Sequence, residues 1–288
     1  MKKFCIFLFL FIVFINNIKA GESVYLNDLP TPIGPNHLEE KMVWNRWTTK
    51  NFTILSISDS QGEFLHRNIE NIKAWSLDRW GLPNVDFTKE CRIFCAPDRA
   101  TMLKLFNVEE PYAEIQQEIT YLWLVLDGKP AEVIPSALTI ISLHEYELRM
   151  KRKFNWWAIR GMANLNLTYS QIKSKILSSN TSTFSSKRMF NMTQEEWQKM
   201  PNNEKVAFDL QALGLCLLIR KEYGQNNFLC IATSDGSEQQ VGYFLGFNDL
   251  GNVYNEFDSI YNRYIGYLII DVKSGKTPNN YIQIVRAN

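Results

Sequence analysis

His144 and Glu145 sit side by side in the stretch Leu143-His144-Glu145-Tyr146-Glu147-Leu148. In the pattern His-Glu-x-x-His on a helix, the two histidines lie four residues apart, share a face and hold zinc. The Glu between them acts as base on the metal-bound water. Here the first two positions are filled and the second histidine position is Leu148. His144 and Glu147, three apart, also share a face. A metal site around His144, Glu145 and Glu147, completed by a group from elsewhere, is therefore one reading. The plainer one is a core histidine with its hydrogen bonds satisfied.

The chain has three histidines. His37 lies in a Pro-rich stretch and His66 in a helical one, so neither has the local spacing to replace position 148. Just downstream runs Asn155-Trp156-Trp157-Ala158-Ile159-Arg160-Gly161-Met162-Ala163-Asn164. It reads as a second helix close behind the first.

Several elements must position these residues. Residues 21–46, with Pro30, Pro32, Gly34 and Pro35, read as an extended arm. Phe52 to Ser58 is β-rich and forms a first strand. From Gly62 to Trp80 the apolar residues Phe64, Leu65, Ile69, Ile72, Trp75, Leu77 and Trp80 follow a helical period, and Gly81 and Pro83 end it. Cys91 to Cys95 is a strand, followed by a short helix to Phe106. Ile119 to Leu126 is a strongly apolar strand. Pro135 takes the first position of a buried helix running to about Arg152. Helices dominate thereafter: 156–178, a Ser/Thr/Asn-rich loop over 179–192, a capping box at Thr193-Gln-Glu-Glu196, a long helix over 204–223 closed by Gly224, and short helices over 226–234, 238–247 and 252–268. Strands with helices come first and helices alone follow. The expected class is α+β, a small mixed sheet with helices followed by a helical C-terminal lobe.

These segments together resemble the gluzincin (thermolysin-like) zinc metallopeptidases of the peptidase MA-like type. The helix supplying the third zinc ligand in that family typically reads Trp-x-x-Glu-Gly-x-Ala. Trp157, Gly161 and Ala163 match it, and the Glu ligand falls on Arg160. Trp47 through Ser58, with Thr53-Ile-Leu-Ser-Ile-Ser58, resembles the family's opening strand. The helix ending in Trp80-Gly81-Leu82-Pro83, the unit Arg92 to Phe106, and Leu213 to Gly224 resemble its later segments. The resemblance spans about 45–268. It implies a domain over 47–268, with a sheet-containing lobe about 47–152 and a helical lobe about 153–268, then a tail over 269–288. It also implies that His144 is a vestigial metal position, Glu145 a vestigial general base, and Glu147, Leu148, Trp157 and Arg160 the cleft and former ligand positions.

The departures govern the chemistry. A catalytic zinc takes three protein ligands and keeps one position open. Leu148 and Arg160 remove two of the three. Without the metal, Glu145 is a partly buried anion needing a partner, and Arg160 is expected to supply one by pairing with Glu145 or Glu147. The resemblance therefore implies a catalytically inactive pseudo-metallopeptidase without a cofactor, binding a peptide or envelope ligand in the old cleft. The competing readings are an active metal-dependent peptidase, with zinc held around His144, Glu145 and Glu147, and a structural envelope protein.

Composition and address set the remaining bounds. The chain has 288 residues, 45% hydrophobic and 21% charged, which is globular. The net charge is +1, so no bulk attraction to nucleic acid is expected. Met1-Lys2-Lys3, the apolar run Phe4 to Ile15, and Ala20 before Gly21 have the layout of a secretory signal over 1–20. The run is short for a bilayer, although an uncleaved anchor is the alternative. The expected location is secreted, periplasmic or otherwise extracytoplasmic, with no membrane span after cleavage. Removing the signal takes Lys2, Lys3 and Lys19 with it and tips the charge slightly acidic. Cys91 and Cys95, four apart on a strand, are about 13 Å apart and cannot bond each other. Cys216 and Cys230 flank the helix end at Gly224 and are a possible disulfide, the alternative being that all four are small buried hydrophobes. Trp75 and Trp80 are expected in the core, and the adjacent Trp156 and Trp157 cannot face one groove.

Overall fold

The computed structural model describes residues 22–25, 43–107, 112–115, 119–126, 130–164 and 184–274. The proposed signal segment and most of the proposed tail lie outside them, as does the helix expected beyond Asn164.

Six strands form one mixed sheet in the order β1-β2-β3-β4-β6-β5. They are β1 (Glu22–Tyr25), β2 (Val43–Thr48), β3 (Phe52–Ser56), β4 (Glu90–Ala96), β5 (Tyr112–Ile115) and β6 (Ile119–Val125). The three central strands β3, β4 and β6 run parallel, with Ile54 beside Ile93 and Ile93 beside Leu122. β1 and β2 add antiparallel on one side and β5 on the other. The expected arm over 21–46 is therefore corrected: its two ends are sheet strands. Val43–Thr48 is anchored because Trp44 and Trp47, an odd three residues apart, are buried on opposite faces of the sheet, which prolines elsewhere in the arm conceal.

Both faces of the sheet are covered, so the central strands are apolar throughout. On one face Ile54, Cys91, Ile93, Cys95, Leu122 and Leu124 meet α1 (Asp59–Asp78) and α3 (Pro130–Met150). On the other, Leu55, Phe94, Ala96, Tyr121, Trp123 and Val125 meet α2 (Arg99–Phe106). Each set steps by two along its strand, as the pleat requires. Asp98 caps α2 by accepting the Thr101 N–H at 2.7 Å.

α3 joins the two lobes. Ile134, Leu138 and Ile141 face the sheet, at spacings of four and three. Near its C-terminal end Leu143 and Tyr146 enter a separate core, with Leu77, Trp80 and Trp157. The helix begins at Pro130, so Pro135 lies inside it and not at its first position. The second core is built from α4 (Trp156–Asn164), α5 (Ser186–Asn191), α6 (Gln194–Lys199), α7 (Asn202–Tyr223), α8 (Gln225–Ala232), α9 (Glu238–Leu245) and α10 (Val253–Lys273). Thr193 and Glu196 form the capping box read from sequence. Within the stretch expected as loop, 186–191 is a short helix capped by Ser185. α10 runs five residues past the expected end of the domain, to Lys273. Among the described residues no helix is long and apolar enough to cross a membrane.

Trp80 is fully buried as expected, and its indole N–H donates to Met162 O at 3.1 Å. Trp75 is not in the core. It is 47% exposed, with the Arg79 guanidinium 4.6 Å above its ring. The helical period placed it one position off the buried stripe of Leu65, Ile69 and Leu77.

Candidate functional site

α3 presents His144, Glu145, Glu147 and Leu148 in its last two turns, and these side chains point to different surroundings. The His144 ring is partly exposed, and its Nδ1 lies 2.9 Å from Glu147 Oε2. The other oxygen of Glu147 accepts the Phe154 backbone N–H at 2.7 Å, folding the chain back after the helix ends. Leu148, one turn on from His144, is exposed at 40%.

Glu145 faces the other way and is buried. Thr88 donates to it twice, from its backbone N–H to Oε1 at 3.0 Å and from its hydroxyl to Oε2 at 3.1 Å. Arg149 Nε also donates to Oε1, at 3.1 Å. The segment 83–88 is thus bound to α3, because the Tyr146 hydroxyl donates to Pro83 O and Arg149 to Asp86 O. Burial pushes the Tyr146 hydroxyl up to about 12. The same segment is held from α1 by Lys73, which is fully buried. Its ammonium donates to Asn84 Oδ1 at 2.9 Å and to Val85 O, and lies 4.6 Å from the Phe87 ring. Burial lowers its pKa. Asn51 completes the frame by accepting the Phe87 N–H and donating to Glu70.

Arg160 does not meet either carboxylate of α3. Its guanidinium forms a two-pronged pair with Asp209 of α7: Nε lies 2.9 Å from Oδ1, and the second nitrogen donates to Oδ2. Asp209 is buried and also accepts the Trp197 indole N–H at 3.2 Å. The planar cation lies 4.3 Å from the Trp197 ring and 5.8 Å from that of Trp156. The expected pairing with Glu145 or Glu147 is corrected. Those acids already have their donors, and α4 turns Arg160 toward α7. Gly161 permits this approach, since a Cβ there would stand 2.4 Å from both Ala212 O and Cys216 Sγ. Trp157 is fully buried, against Phe190 and Phe228.

The expected ligand set is therefore dispersed. A catalytic zinc requires three converging protein ligands. Position 148 offers no donor, position 160 offers a cation committed to Asp209, and Glu145 points into the 83–88 segment. Among the described residues no group of three or more His, Cys, Asp or Glu side chains could hold a metal ion. The residues present do not fit the zinc of a metallopeptidase: among the described residues His144 and Glu147 pair with each other, while Glu145 is turned to Thr88.

The four cysteines of the described chain are free. The Cys216–Cys230 disulfide is corrected: Cys216 is fully buried on the side of α7 that meets α4, while Cys230 is exposed on α8.

An open groove of about 810 Å³ lies where the chain leaves α3, between residues 152–155 and helices α8 and α9. It does not include His144, Glu145, Leu148 or Arg160. Sequence reasoning also missed Thr88 and Asp209. Asp209 carried a signal, being an acid inside the apolar run of a long helix, which demands a buried cation. Compared with known proteins, the chain matches no family model and no curated protein.

Proposed function

We propose that this is an exported, gluzincin-like protein of the peptidase MA-like type that lacks peptidase activity and works as a binding protein. In this reading the partly exposed face of α3 carrying His144 and Leu148 is the wall of the old cleft, open to a peptide or envelope ligand. The ordered matches from Thr53 to Gly224 support the ancestry. The α+β frame, with α3 shared between a sheet and a helical lobe, agrees with it. The basic and apolar N-terminal segment supports export.

One observation carries the loss of activity. The third-ligand position is an arginine held by Asp209 across α4 and α7, so it carries the wrong charge and its guanidinium is committed elsewhere. Metal analysis of the purified protein, together with a casein cleavage assay, tests the reading. The expected result is no retained zinc and no cleavage, with His144→Ala indistinguishable from the parent. Stoichiometric zinc, with cleavage lost in His144→Ala, would overturn it.

A further inference from the structure

The groove between the end of α3 and helices α8 and α9 has a chemistry of its own. One rim carries Arg152 and Lys153, both exposed, directly after Lys151. Neither has a carboxylate partner among the described residues. Among the described residues the one acid lining the groove, Asp235, has both oxygens engaged: Oδ1 accepts the Ser237 N–H at 2.8 Å and Oδ2 accepts from Gln240 at 3.0 Å. Apolar side chains from α9 and the turn after it also line the groove. Tyr243 is 74% exposed and packs edge-on against Phe244, and Leu250 is exposed beside them. Single exposed apolar residues are ordinary, but two exposed ones, Tyr243 and Leu250, lining one groove with unpaired cations are not.

We propose that this groove binds a short acidic peptide segment of another protein. Its Asp or Glu side chains would pair with Arg152 and Lys153, and a neighbouring aromatic or branched side chain would lie on Tyr243 and Leu250. The volume falls within the range of binding sites, roughly 300–1,000 Å³. The groove is open to solvent and not enclosed, which suits an extended chain better than a fully buried small molecule. Two rim cations on a near-neutral protein are too few for nucleic acid, whose affinity rests on many phosphate contacts. The inference does not depend on the peptidase-like reading, because it uses no former ligand position. Zinc content decides that reading and leaves this one untouched.

Fluorescence polarisation with a labelled peptide of repeating Glu-Tyr-Glu-Leu tests it, with the lysine counterpart as control. The acidic peptide should bind and the basic one should not. Affinity should fall as salt rises, since exposed charge pairs are screened. The double variant Arg152→Glu/Lys153→Glu should lose about tenfold or more, because two attractive contacts become repulsive. Tyr243→Ala should weaken binding about three- to tenfold with the charges intact. Cys230 lines the groove and is exposed, so saturating peptide should slow its alkylation. No binding, equal binding of both peptides, an unchanged Kd in the charge-reversed variant, or Cys230 alkylated as fast with peptide as without would each overturn the proposal. So would binding to phosphatidylglycerol vesicles in place of the peptide.

Discussion

Arg160 and Asp209 face each other across α4 and α7, with Nε 2.9 Å from Oδ1 and the second nitrogen on Oδ2. The pair binds α4 to α7. The carboxylate is nearly buried and the guanidinium mostly so, and both are also held by Trp197. Removing one partner of such a pair leaves a buried charge unsatisfied, which costs about 3–5 kcal/mol. Arg160→Ala and Asp209→Ala should each lower stability by about that amount in urea unfolding. Arg160→Met with Asp209→Leu should recover most of it, because an apolar pair of similar volume needs no desolvation. Arg160→Glu sets two carboxylates together and should be worse than Arg160→Ala. A double variant no more stable than the singles would contradict this account.

Glu145 is a latch for the segment 83–88. Its carboxylate accepts two bonds from Thr88 and one from Arg149. Hydrogen bonds to a buried charged group contribute about 1.5–3 kcal/mol. Glu145→Ala should destabilise by about 2–3 kcal/mol and speed amide exchange at Thr88 and its neighbours. Glu145→Gln keeps an acceptor and should cost less. If the two variants leave Thr88 exchange unchanged, Glu145 does not hold the segment.

What could be read from the sequence follows from which interactions are local. The period-two burial of Cys91, Ile93 and Cys95, the helical stripe of α1 and the box at Thr193 and Glu196 each lie within one element, so their signals survive in sequence. The Glu145–Thr88 and Arg160–Asp209 contacts join residues 57 and 49 positions apart. Helical spacing says which residues share a face, but not which helix that face meets. Pairing of Arg160 with Glu145 or Glu147 would need α4 to turn that face toward the end of α3, and it turns it toward α7. The strands β1 and β2 were hidden for a related reason: pairing rescues short segments that prolines nearby mark as irregular.

Gly161 is a point of close contact between α4 and α7. A methyl group added there would meet the Ala212 carbonyl, part of a helix backbone that cannot move aside, and the buried Cys216 sulfur. Overpacking of this kind costs about 1–3 kcal/mol and more when backbone must shift. Gly161→Ala should therefore lower the urea midpoint clearly, even though alanine is the better helix former by about 1 kcal/mol. A stabilised variant would mean that the helices separate easily, and the Arg160–Asp209 pair would then be a weak clamp.

Alkaline pH should unfold the protein through its buried thiols and phenols. Burial raises Cys91, pushes Cys95 up to about 12 and Tyr146 to about 12, and holds Cys216 and Tyr261 well above their ordinary values of 9.0 and 10.0. Below pH 9 both states keep these protons and the stability is fully present. Above it the unfolded chain releases them and the folded one does not, so stability falls as pH rises toward the folded values. Lys73 works in the opposite direction. Its lowered value means that the unfolded state holds the proton longer, and stability rises with pH up to about 10.5. The raised thiols and phenols, which Tyr223 and Tyr254 join, outnumber the lowered cations Lys73 and Arg220, and each contributes up to about 1.4 kcal/mol per pH unit. Urea midpoints should thus drop between about pH 9 and pH 12. Native-state labelling gives an independent check. Cys230 should react at once, and Cys91, Cys95 and Cys216 only as the chain unfolds. Fast labelling of Cys216 in the folded protein would show that α4 and α7 open locally, and the alkaline transition would then begin at their interface.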